Sequence, residues 1–152
     1  MKKIYLTVLV CFLFWAVGLT QEHPEHPKST AKKQTTSITT ADLAKAIRNY
    51  VEEDAELKGG YFMIYDTTIK KSLELTLAKV HEEKLSQVGE NLYFACSDFK
   101  ATSGKMYDLD FFMKQKKSGL VVTEISIHKE EGQPRYAWAE EKGLWVRKPT
   151  NK

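Results

Sequence analysis

Cysteine is scarce. The two in 152 residues, Cys11 and Cys96, are too few for a disulfide framework and too far apart for the Cys-x-x-Cys spacing of zinc and redox sites. Four prolines and eight glycines exclude collagen-like and low-complexity chains. Neither sign of charge dominates: 23 Lys and Arg face 20 Asp and Glu, so the concentrated positive field that follows nucleic-acid phosphates is missing. A phosphate-cradling glycine loop, a nucleophile elbow and a His-Glu-x-x-His helix are all absent; no motif names a reaction, and no cofactor is implied. What is present is 42% hydrophobic and 28% charged residues, enough for one core and too little for two.

The one long apolar run stands at the start. Met1, Lys2 and Lys3 precede an uncharged stretch over 4–19, with small residues Ala16 and Gly18 near its end. This pattern predicts an export signal over 1–20; the stretch is shorter than the ~20 residues a membrane-spanning helix needs, and uncleaved it would serve as an anchor. Val10 before Cys11 argues against lipid attachment, which favours a small side chain there. Cleavage leaves 21 basic against 20 acidic residues and Cys96 as the lone thiol. Residues 21–38 are polar and proline-bearing, and read as a disordered tether. Within it Glu-His-Pro occurs twice and sets His23 and His26 three residues apart, a pair that could hold a divalent metal weakly or merely be a solvated spacer.

A single domain is expected over 39–148, followed by a short tail at 149–152. Thr39 is placed to cap a helix with Asp42 as the capping-box acid, and Leu43, Ala44, Ile47, Tyr50 and Val51 recur at helical spacing until Gly59 and Gly60. The period then changes from 3.6 to 2. Strands are expected at 61–65 and around 73–77, then at 92–99, 105–113, 120–129, 135–139 and 144–147, each bounded by a turn signal. Such short connections require antiparallel pairing. The fold class is therefore α+β: one N-terminal helix packed on a curled antiparallel meander, of the cystatin-like or nuclear-transport-factor-like kind.

Alternation assigns the faces. Tyr107, Leu109, Phe111 and Met113, with Val121, Thr123, Ile125 and Ile127, should meet the helix. Asp108, Asp110, Glu124, Ser126 and His128 then share the opposite, open face. Asp108 and Asp110 lie about 6.5–7 Å apart along the strand, a spacing that suits a divalent cation, acid and base roles, or a solvated polar face whose acids meet lysines. Cys96 shares a side with Leu92 and Phe94, which points to a buried thiol; a reactive thiol is the alternative, if His81 and Lys100 stabilise a thiolate. Tyr136, Trp138 and Trp145 in the last hairpin serve as edge packing or as a platform for a sugar or peptide.

The leader, the Glu-His-Pro tract, the stretch Tyr93-Phe94-Ala95-Cys96-Ser97-Asp98-Phe99, the stretch Tyr107-Asp108-Leu109-Asp110-Phe111-Phe112, and the run from Val122 to Lys129 leading into Pro134-Arg135-Tyr136-Ala137-Trp138 together resemble a family of small exported bacterial proteins with no established activity. The resemblance implies export and a bacterial source and carries over no catalytic residue. Gln87-Val88-Gly89 is too short for the cystatin inhibitory hairpin, and Pro134 is separated from Trp138 where cystatins join the two. The expectation is a non-enzymatic periplasmic or envelope module that binds a protein partner or small ligand, with an apolar patch near Trp138 and Trp145. Metal handling through His23 and His26, and an enzyme built on Cys96 or on Asp108 and Asp110, are the alternatives.

Overall fold

The computed structural model describes residues 26–27, 38–142 and 144–150; the expected leader, His23 and most of the tether lie outside the described residues. Helix α1 spans Thr40–Glu56, and the sequence explains both of its ends. Thr39 Oγ1 accepts from the Asp42 amide at 3.1 Å while Asp42 accepts from the Thr39 amide at 2.9 Å, so two of the donors left over by the first turn are satisfied reciprocally. At the other end the Gly60 amide returns to the Ala55 carbonyl at 2.8 Å, with Gly59 and Gly60 at φ of 75° and 94°, a region that side-chain-bearing residues avoid.

The strands follow as β1 (Phe62–Asp66), β2 (Lys71–Val80), β3 (Ser86–Gly89), β4 (Leu92–Ala101), β5 (Met106–Lys116), β6 (Gly119–Glu130), β7 (Gln133–Pro134), β8 (Tyr136–Glu141) and β9 (Leu144–Pro149). Every pairing is antiparallel. One sheet runs β1-β2-β4-β5-β6-β7, with β3 flanking β4, and it curls into a half-barrel around α1. The α+β class with the helix first is thus the observed architecture. Leu43, Ala44, Ile47 and Val51 of the helix enter a core with Phe62, Leu75, Phe99, Leu109, Phe111 and Met113. Each large side chain buried there contributes about 1.5–3 kcal/mol.

Besides the short strands β3 and β7, which no expected strand covered, two features depart from the expected meander. A register shift between Phe112 and Met113 pairs Val122 with Met113, so Val122 joins the core in place of Val121, and Thr123 turns to solvent. Strands β8 and β9 form a separate two-stranded sheet instead of extending the first. This hairpin packs on the outer face, where Trp138 meets Phe94, Cys96, Phe112 and Tyr136 in a second core. The large sheet is therefore covered on both sides, by helix within and hairpin without. Asp108 and Asp110 are therefore buried rather than set in water as alternation alone implied, while Glu124 stays exposed.

Candidate functional site

The outer face of β4, β5 and β6 carries the most concentrated chemistry. Cys96 stands across from Asp110, Asp110 across from Ser126, and Asp98 across from Asp108. A second register shift, between Asp108 and Leu109, adds one residue to β6 between the partners of those two positions. That residue is His128, whose Nδ1 lies 3.7 Å from Asp110 Oδ1 and 3.9 Å from Asp108 Oδ2. Ligand atoms of Cys96, Asp108 and Asp110 all fall within 4.8 Å of one another. The residues expected to share the open face are thus brought together, except that Glu124 sits at the rim and pairs with Arg147.

The hairpin dries this cluster. Asp110 is 0% exposed, and its Oδ2 accepts from Tyr136 Oη at 2.6 Å and from Trp138 Nε1 at 3.1 Å. The guanidinium of Arg147 lies over the rings of Phe112, Tyr136 and Trp138, 5.0–5.6 Å from their centroids. Burial, which penalises the charged form, pushes the Asp110 carboxyl up to about 7 against the attraction of its two donors, with the neighbouring Asp108 adding to the rise. Asp108 is raised as well, chiefly by burial. Oδ1 of each aspartate is buried without a hydrogen-bond partner. Such atoms are rare in folded proteins, because an unmet acceptor forfeits its hydration.

Cys96 is 2% exposed, and burial followed by the fields of Asp108 and Asp110 pushes its thiol up, so its surroundings oppose a thiolate. His81 pairs with Asp98 through Nε2 at 2.9 Å and with Glu83 through Nδ1 at 3.2 Å. Its amide meets the Cys96 carbonyl, which places the ring on the carboxylates rather than on the thiol. Trp138, 2% exposed, is committed to packing; Tyr136 and Trp145 are half-buried beside it, and Tyr136 lines an open cleft of about 330 Å³. His26 and Pro27 lie against the domain, where the Pro27 carbonyl accepts from Ser86 Oγ at 3.2 Å.

A feature that sequence reasoning missed lies where the half-barrel fails to close. β1 and β6 face each other across a seam, and two open clefts of about 300 and 330 Å³ run along it, both lined by Ile64 and Ile125. The Met63 amide points away from β2 and is met by Asp54 Oδ2 of the helix at 3.4 Å; alternation turns the Tyr65 amide the same way. Among the described residues β1 pairs only with β2, and β6 over 119–127 pairs only with β5, the His128 carbonyl accepting from the Arg135 amide at 2.7 Å. One end of the seam is clasped: Arg135 makes two bonds of 2.7 Å to the carboxylate of Asp66, the last residue of β1, and one of 2.9 Å to Glu130 of β6. The signal for the seam is tertiary curvature, which no local pattern carries.

Among the described residues no helix is long and apolar enough to cross a membrane. Comparison with protein-family models, with curated proteins and with solved structures finds no match to the chain.

Proposed function

We propose that the chain is an exported binding module without catalytic activity of its own, which receives an extended segment of a partner protein along the seam between β1 and β6. The observation that carries this reading is the pair of opposed strand edges lining one groove. A strand edge presents a row of backbone donors and acceptors, and the occupant that matches two such rows at once is another strand, as in recognition by strand addition. Ile64, Val122 and Ile125 supply apolar walls, so the segment that fits best carries apolar side chains at alternate positions. The predicted leader would deliver the domain beyond the inner membrane and the polar tether would give it reach, whether from a retained anchor or after release. Catalysis fits less well, since the carboxylate cluster lies under the hairpin and its thiol is held protonated.

The test is selection of displayed ten-residue peptides against the full chain, followed by hydrogen exchange on the selected complex. The expected result is a period-two apolar consensus with new protection at 62–66 and 119–127. Tyr65→Pro removes the outward amide while leaving the ladder to β2 intact, and should weaken the selected peptide about fivefold, one lost hydrogen bond being worth roughly 1 kcal/mol. Protection elsewhere, or unchanged affinity in Tyr65→Pro, contradicts the reading.

A further inference from the structure

We propose that Cys96, Asp108, Asp110 and His128 form a binding site for one divalent transition-metal ion of the zinc type, buried between the outer face of the sheet and the β8–β9 hairpin. The ligand atoms of Cys96, Asp108 and Asp110, one sulfur and two carboxylate oxygens, lie within 4.8 Å of one another; the imidazole of His128 stands beside both carboxylates but outside that triad, and a shift of its ring would complete a set that suits a borderline-soft ion in four-coordinate geometry. Two ligands each about 2.0–2.2 Å from a tetrahedral ion stand roughly 3.4 Å apart. His128 Nδ1 stands at 3.7 and 3.9 Å from the two aspartates, too far for good hydrogen bonds and within a few tenths of an ångström of that edge.

The independent observation is the state of Asp110. In a residue that is 0% exposed, one oxygen holds two donors while the other, Oδ1, has no hydrogen-bond partner and faces His128 Nδ1. Tyr136 and Trp138 thereby act as outer groups that fix the carboxylate and leave one oxygen for coordination. The His128 ring is stacked on Tyr136 with centroids 4.7 Å apart and planes within 20°, which sets its orientation. Asp108 also keeps a buried Oδ1 without a partner. An open cleft of about 330 Å³ lined by His81, Asp98, Asp108 and Lys129 brings solvent as far as Asp108, the side from which an ion would enter. Binding requires the Cys96 thiol and both carboxyls in their deprotonated forms.

The site is tested on the full chain purified without an affinity tag and carrying His23→Ala and His26→Ala, so that the Glu-His-Pro tract contributes nothing. Titration with zinc under native mass spectrometry should show one ion per chain. Cobalt(II) should give the intense visible bands of a tetrahedral ion together with thiolate-to-cobalt charge transfer. Cys96→Ser should abolish the charge-transfer band, and Asp110→Asn should weaken zinc at least about tenfold. If either variant fails to fold, the cobalt spectrum of the parent decides: uptake without a thiolate band, or no stoichiometric uptake, overturns the site. Peptide selection at the seam is read separately, so failure of one proposal leaves the other standing.

Discussion

Replacing Arg135 with alanine probes the clasp that holds the two edges of the half-barrel. The pair is bidentate, with both contacts to Asp66 at 2.7 Å; Asp66 is 0% exposed and the Arg135 side chain 17% exposed. Removing one member of a buried pair leaves an uncompensated charge and costs about 3–5 kcal/mol. Asp66 keeps the amides of Thr68 at 2.9 Å and Ile69 at 3.4 Å, which places Arg135→Ala near the lower bound, about 3 kcal/mol. Urea unfolding of parent and variant, followed by circular dichroism, measures the difference directly. Arg135 holds the Asp66 carboxyl below its ordinary value of 3.8. A lowered carboxylate contributes stability above its unfolded value and loses it as pH falls through its folded value, so the gap between parent and variant should narrow below about pH 4. Asp66→Asn combined with Arg135→Met removes both charges and should cost less than Arg135→Ala alone. A cost under about 1 kcal/mol, or a gap indifferent to acid, would refute the argument that this pair closes one end of the seam.

Asp110 has the opposite sign. Its folded value near 7 exceeds the unfolded 3.8, so the stability it contributes is complete below the unfolded value and is lost as pH rises toward 7; three decades of proton affinity amount to roughly 4 kcal/mol as an upper bound. Asp110→Asn should flatten the decline in urea stability between pH 4 and 8, and an unchanged slope would count against a dry carboxyl. Cys96 should resist iodoacetamide in the native chain and react only at the rate of unfolding, as read by mass; rapid native labelling would show that the hairpin does not cover it. Trp138→Ala should destabilise by about 3–5 kcal/mol and bare Phe94 and Phe112, detected as dye binding in the folded baseline, whereas a cost under 1 kcal/mol would mean that the outer core is marginal.

The helix and the order of strands were legible because each rests on local signals: a Thr39–Asp42 box, a 3.6-residue stripe ending at Gly59, and alternation broken by turn residues. The assignment of Leu109 and Phe111 to the helix side followed from the same alternation. What was not legible depended on long-range placement. Asp66 and Arg135 are 69 positions apart, and nothing in either neighbourhood marks them as partners. The hairpin's return over the outer face did leave a trace, since Phe94, Cys96 and Phe112 share that side with the acids and a water-facing surface would not place them together. Two aromatic residues bearing polar hydrogens, Tyr136 and Trp138, were the other trace: a buried carboxylate needs such donors. The inward turn of Val122 came from a bulge, which shifts parity by one residue and is invisible to a strict two-residue period.

Asp110 of β5 lies in a second, dry core rather than on a wet face. The most direct measurement is a carbon-detected NMR titration of the Asp110 side-chain carboxyl in the intact, metal-free chain. The expected midpoint is near 7, about three decades above a solvated aspartate. A midpoint near 4 would mean that water reaches Asp110 and that the hairpin is not its roof.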